Sequence, residues 1–241
     1  MFFAVWEFVT VAEIVPVAVI PTPVTVLGAI IGSIKSGQLI MQTGLSLVNI
    51  GIGFFLAIFI CIPLGLIIGI YFKTFEKILI PFLRMCEKIN PFALFPIFMI
   101  LFGIGHVEKV MVVLWVSQWP LLFNTIDGAR YLDRAIIKSA LSMGAKKRVL
   151  IFRVIVPMTL PYIFTGLKNS AQLAFFMIIA SEMVGASEGL GWQFLSANMS
   201  YNVPMMYGII IYVTVLAIII NLLFTKLEKR FSIWKQSTFN T

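Results

Sequence analysis

A chain of 241 residues that is 60% hydrophobic and only 12% charged, with a mean hydropathy of +1.02, has more apolar surface than a soluble domain of this size can bury. Those figures exclude a soluble enzyme or binding module and point to a polytopic membrane protein, an all-α bundle of transmembrane helices. The formal charge of +8 would suggest nucleic acid or acidic lipid as the partner of a soluble protein, but here the placement of the charges along the chain accounts for it.

Residues 1–17 are apolar but contain Glu7 and Glu13, with Pro16 following closely. They lack the basic start and small-residue cleavage site of a signal peptide. They are also shorter than the roughly 20 apolar residues of a full crossing. The segment reads as a shortened first crossing, as an interfacial helix, or as the continuation of a longer N-terminus. Residues 18–45 bring Pro21 and Pro23 and then TVLGAIIGSIKSGQLIMQTG, helical in spacing but too polar to span, so an interfacial helix is expected. Together these make an N-terminal unit, 1–45, ahead of a transmembrane unit, 46–230, and a tail, 231–241.

The first full span is expected over Ser46–Phe72, with a kink at Pro63. Gly65 and Gly69 lie four residues apart and face one side, which lets another helix come close. Packing within one subunit and dimerisation explain that pair equally well. An elbow follows over 73–88, and the next spans are expected over Pro91–Gly105 and over Val110–Gly128, the latter broken at Pro120. His106, the single histidine, falls in the loop between them with Glu108 and Lys109, where it is expected to be a solvated loop residue. Two further spans cover Tyr162–Gly185 and Met205–Leu227, joined by SEGLGWQFLSANMSYNV.

Lys and Arg are distributed unevenly. Residues 73–88, 129–153 and the segment after Phe224 carry four, seven and four of the eighteen basic residues. Lys35 and Lys109 alone fall in the loops between them, an alternation that five crossings require. By the excess of positive charge in cytoplasmic loops, the 129–153 loop and the C-terminus are expected in the cytoplasm, with Ser46 at the opposite face.

No catalytic constellation is visible. There is no His-Glu-x-x-His, no Gly-x-Ser-x-Gly and no phosphate-binding Gly-x4-Gly-Lys-Ser/Thr. Cys61 and Cys86 have neither pairing nor metal spacing. The chain reads as a non-enzyme without metal or cofactor of its own, and if ATP drives it, another polypeptide supplies the nucleotide site.

The span over 162–185 is the most informative chemically, because polar and ionisable groups in a bilayer are costly and usually face a cavity or the protein interior. Lys168, Asn169 and Gln172 cluster within about one turn, and Ser181 and Glu182 sit near the other end. Fourteen residues of helix place Lys168 and Glu182 about 21 Å apart, too far to pair. Two readings stay open: these groups line a translocation path, or Lys168 snorkels to the interface and Glu182 bonds a neighbouring helix or backbone.

The basic loop over 129–161 holds Arg130, Arg134, Lys138, Lys146, Lys147, Arg148 and Arg153 and cannot lie inside the membrane. It reads as a short helix with Asp133 near its start and Gly144 at its end. A second basic helical stretch then leads to Pro157 and Pro161. A water-exposed helical loop in an otherwise apolar chain suits a docking surface for a soluble partner. The spacing Ser139-Ala140-x3-Gly144-Ala145-x9-Ile155-Val156-Pro157-x3-Pro161 resembles the cytoplasmic signature of the permease subunits of type I ATP-binding-cassette importers, Glu-Ala-Ala-x3-Gly-x9-Ile-x-Leu-Pro. Lys138 stands here where that pattern has Glu, and Val156 where it has Leu. The runs INPFALFPIFMILFGIG, FNTIDGAR, PYIFTGLKNSAQLAF and SEMVGASEGLGW are similar to the branch that imports nitrate, bicarbonate, aliphatic sulfonates or taurine.

The resemblance implies a homodimeric pore, two ATPase subunits that bind ATP and Mg, and an extracellular or periplasmic solute-binding protein, all at the inner or plasma membrane. It makes Lys138, Ser139, Ala140, Met143, Gly144, Ala145 and Pro157 the contacts to the ATPase. Lys168, Asn169, Gln172, Ser181 and Glu182 become candidates for the path, with a small anion as solute. A secondary transporter would show repeated halves with interrupted helices, and a channel a filter segment or charged ring; neither pattern is visible. A membrane anchor for a soluble assembly would use the same basic loop, but the polar groups of 162–185 argue against it.

Overall fold

The first described helix begins where Thr22 caps it, its hydroxyl accepting from the Thr25 amide at 3.4 Å, and where Pro23 supplies a preset φ. In the computed structural model, which describes residues 6, 7, 10, 19–71, 73–132 and 134–236, this is α1 (Pro23–Lys35). Gly37 then adopts a left-handed φ of 75°, and α2 (Gln38–Tyr71) starts immediately after it. The interfacial helix expected over 18–45 is therefore cut in two, and residues 38–45 belong to the first span. Of residues 1–17 only Trp6, Glu7 and Thr10 are described, so whether that segment crosses lies outside the described residues. Trp6 donates its indole N–H to the Pro21 carbonyl at 3.1 Å.

α2 has 34 residues, about 51 Å of helix, and continues through Pro63. α3 (Lys73–Glu87) and α4 (Pro91–Phe102) meet at an angle of 84°, where Asn90 caps α4 by accepting from the Phe92 amide at 3.0 Å. Twelve residues rise only about 18 Å, well short of a hydrocarbon core of about 30 Å. The span expected over 91–105 is accordingly not a crossing by itself.

The register of the neighbouring helices shows what the bent pair does. α2 and α5 (His106–Arg130) run parallel, with Gly53 against Val110 and Val113, Gly65 against Leu122 and Thr125, and Gly69 against Ile126 and Ala129. The chain between them must return from one end of the bundle to the other, so α3 and α4 form one broken crossing. Among the described residues five crossings result, four continuous and one bent. α5 runs unbroken through Pro120, so the break expected there is absent. Gly65 and Gly69 face α5 of the same chain, which assigns that pair to packing within the subunit.

After α5 the chain forms α6 (Arg134–Ser142) and α7 (Lys147–Leu150). A π-helical turn (Ile151–Ile155) then feeds α8 (Val156–Glu182), which runs antiparallel to α5. Gly128 lies against Thr159 and Tyr162, and the Ser170 hydroxyl donates to the Ser117 carbonyl at 2.6 Å. Pro157 sits in the first α-helical turn after the π-helical one. This span begins before Tyr162. α9 (Leu190–Met199) and α10 (Val203–Gln236) complete the bundle, with α10 antiparallel to α8. The core lies between α2, α5 and α8, around residues such as Trp119, Leu121, Ile126, Val113 and Ile178.

Candidate functional site

Two ends of the bundle differ in chemistry: the loop end, where α5 stops and α8 begins, and the far end, where α5 begins and α8 stops. At the loop end, α6 is closed by a Schellman motif. The Gly144 amide donates to the Leu141 carbonyl at 2.9 Å and the Ala145 amide to the Ala140 carbonyl at 3.1 Å, with Gly144 at φ 79°. That geometry explains the glycine physically: the reversal needs a left-handed residue. Lys138, Ser139, Met143 and Gly144 are exposed, Met143 by 87%, while Ala140, Ala145 and Pro157 are half-buried. Ile136, Leu141 and Phe152 add exposed apolar surface among the basic residues. Asp133, expected near the start of α6, lies outside the described residues.

Along α8, Lys168 is paired. Its ammonium lies 3.2 Å from Glu228 Oε2 on α10, and Thr165 donates to Glu228 Oε1 at 2.8 Å. One turn further, Gln172 donates its amide to Asn221 Oδ1 at 2.7 Å. Asn169 and Gln172 are exposed on the single chain, beside Leu173 and Phe176. A cleft of about 670 Å³ follows the α8–α10 seam; its lining includes Gln172 and Asn221 among the apolar side chains Phe92, Phe176, Ile179 and Val213. Glu228 and Asn221 escape a reading of α8 alone, although their separation of seven residues on one helix face matches the 165/168/172 set.

At the far end, Ser181 and Glu182 are fully buried, and their partners belong to this chain. Ser181 donates to Glu108 Oε1 at 2.9 Å, and Glu182 accepts from the Ser46 hydroxyl at 2.7 Å and from the Gly191 amide at 3.0 Å. Lys109, only 2% exposed, reaches the Glu188 carbonyl at 3.4 Å. His106 opens α5 instead of floating in a loop. Its Nδ1 lies 3.0 Å from Asn49 Oδ1 and its Nε2 3.0 Å from Glu188 Oε1. Gln42, Ser46 and Asn49 share one face of α2 by helical spacing, and all three engage this network. That 42/46/49 periodicity marks in sequence the α2 side of the network, though not its partners. Among the described residues no group of His, Cys, Asp and Glu is placed to hold a metal.

Residues 61–233 match the family described as the binding-protein-dependent transport system inner membrane component. This chain belongs to that family. The permease is thus a multi-pass inner-membrane component of a type I ABC importer, a non-catalytic transport subunit whose family works with an ATPase and a binding protein. It is 27% identical over 234 residues to the putative aliphatic sulfonates transport permease protein SsuC of Bacillus subtilis, covering 97% of this chain and 84% of that one. It is likewise 27% identical over 236 residues to the taurine transport system permease protein TauC of Escherichia coli, covering 95% and 85%. A chain of the MetNI methionine ABC transporter, solved in inward-facing conformations, superposes with a TM-score of 0.70 at 15% identity, over 80% of the permease and 95% of that chain. At that identity the likeness concerns the fold.

Proposed function

We propose that this permease forms the conduit of the importer as one of two identical subunits and takes up a small anion such as a sulfonate, taurine, nitrate or bicarbonate. The observation that carries the reading is the Schellman-capped cationic helix α6, held out from the bundle between α5 and α8. α6 is the lever that docks on the ATPase, with Lys138, Ser139, Ala140, Met143, Gly144 and Ala145 at the contact and Pro157 starting the helix that carries its motion. The concentration of basic residues at 129–153 and after Phe224 supports a cytoplasmic loop end and a cytoplasmic C-terminus.

Polar side chains exposed on α8 would be costly against lipid, which supports a covered, conduit-facing role for Asn169 and Gln172, with Lys168 at its inner end. The sulfonate and taurine relatives support the anion. The experiment is reconstitution with the cognate ATPase and binding protein in nanodiscs and liposomes. Solute-stimulated ATP hydrolysis and ATP-dependent uptake are expected. Uptake without ATP would establish a secondary carrier, and ATPase binding without stimulation an anchor.

A further inference from the structure

The α8–α9 connection encloses a carboxylate as a ligand pocket would. Glu182, the last residue of α8, is 0% exposed. One carboxylate oxygen accepts from the Ser46 hydroxyl of α2 and the other from the Gly191 amide in the first turn of α9. Ser46 also accepts from the Leu190 amide at 3.0 Å, and Gln42, one turn earlier on α2, accepts from the Gly189 amide. Three consecutive amides at the start of α9 are thus taken up by side chains of α2 and α8, where the partial positive charge of the helix end favours a carboxylate.

Glycine makes the approach possible. A Cβ at Gly189 would run into the Glu182 carboxyl group, and one at Gly191 into the Ile179 carbonyl, while Gly189 itself has φ 105°. α9 in turn touches α1, α2, α8 and α10. Leu190 and Ala197 share an apolar cluster with Leu39 of α2 and Ile209 of α10, and Gln193 donates to Ser33 of α1 at 3.2 Å.

We propose that Glu182 is a positioning residue of the transport cycle: by holding the Gly189–Gly191 backbone against Ser46, it locks α9 onto α2 and α8 so that the far ends of α2, α8 and α10 move as one body. On this assignment Glu182 acts on solute only through α9. The charge itself is dispensable as long as the shape and the acceptor for Gly191 remain. A glutamine keeps an oxygen for that amide and can donate to the Ser46 hydroxyl, which is free to turn to the carbonyl one turn back on α2.

Hydrogen exchange of the full permease–ATPase complex in nanodiscs, with and without Glu182→Ala and Glu182→Gln, tests this. In Glu182→Ala the amides of 189–199 exchange about tenfold faster while α5 keeps its protection, and in Glu182→Gln they stay close to wild type. Functionally, Glu182→Ala raises basal ATP hydrolysis relative to the solute-stimulated rate, and Glu182→Gln restores the wild-type ratio. Unchanged protection of α9 in Glu182→Ala overturns the proposal. So does a Glu182→Gln complex that keeps α9 protected yet loses uptake, because the carboxylate would then act on solute directly. If Glu182→Ala fails to assemble, Ser46→Ala carries the same test, with accelerated exchange expected at Leu190 and unchanged exchange overturning the proposal.

Discussion

Lys168 and Glu228 meet at 3.2 Å across the α8–α10 seam, each side chain about one-quarter exposed, with Thr165 donating to the other carboxylate oxygen. The pair converts two costly groups into one neutral unit and fixes the register of α10 against α8. Removing one partner leaves a partly desolvated charge, whereas removing both does not. Lys168→Met alone should therefore lower stability by about 1–2 kcal/mol, discounted from the fully buried case because water reaches the pair. The double variant Lys168→Met, Glu228→Gln should recover part of that loss. Thermal unfolding of the detergent-solubilised subunit through the double-mutant cycle checks it; additive losses would show that the two groups do not interact.

Gln172 and Asn221, one turn away, give a second and separable test. A hydrogen bond inside a bilayer contributes only about 0.6 kcal/mol on average, so Gln172→Leu should barely change assembly or melting. If the side chain lines the conduit, uptake falls severalfold in Gln172→Leu and falls equally in the Gln172→Leu, Asn221→Leu double variant. Uptake restored in the double variant would assign the pair to packing. Initial rates in proteoliposomes, normalised to assembled complex, decide between the two.

The features readable from sequence are those set by local chemistry. The basic loop, the glycine that ends α6 and the long apolar runs each have a cause within a few residues, and the structure keeps all three. Asn90-Pro91 is also local, a cap followed by proline after the charged elbow of 73–88, yet it does not show that the two arms of the 84° bend make one crossing, because hydropathy reports burial and not direction. Gly37 divides α1 from α2 for the same reason: a glycine within a helical pattern is tolerated or terminating depending on where the next residues pack. The polar network at the far end joins Ser46 to Glu182 across 136 residues. No periodicity within one helix encodes that distance; only the parallel register of α2 on α5 and the antiparallel register of α8 against both bring the groups together.

Those registers rest on close approach, which yields a stability prediction. A Cβ at Gly65 would fall 2.7 Å from the Thr125 Cβ, and one at Gly69 2.7 Å from the Ala129 Cβ. Neither neighbour is the tip of a flexible side chain, so α2 and α5 must separate. Gly65→Ala should cost about 1–3 kcal/mol, as overpacked cores do. Gly51, with open space where its Cβ would go, should accept alanine with little change. Melting temperatures of the two variants check the contrast, and equal values would contradict the parallel packing of α2 on α5.

At Gly144 the constraint is conformational, since a Cβ there meets nothing within 4 Å while φ is 79°. A β-branched residue in the left-handed region costs about 1–2 kcal/mol, so Gly144→Val should unwind the end of α6. Asparagine, which tolerates that region, should preserve most of the turn. The expected outcome is a folded, membrane-inserted permease whose solute-stimulated ATP hydrolysis is lost in Gly144→Val and largely kept in Gly144→Asn. Retained ATP-dependent uptake in Gly144→Val, with normal ATPase binding, would remove α6 from the coupling role.

Lys138 tests the electrostatics of the same surface. Residues 134–153 carry six basic residues and no acidic one, and Lys138 is exposed on α6. A lysine facing a carboxylate at the rim of an interface contributes on the order of 0.2–1 kcal/mol, which reversal to glutamate turns into repulsion. Lys138→Glu should therefore weaken ATPase association about two- to fivefold at low salt, with the difference shrinking as ionic strength rises and the Debye length falls below about 10 Å. Titration of the purified ATPase against permease in nanodiscs at two salt concentrations measures it. An affinity unchanged at both would mean that Lys138 faces no charge in the complex and that α6 docks through Met143, Leu141 and its apolar surface alone.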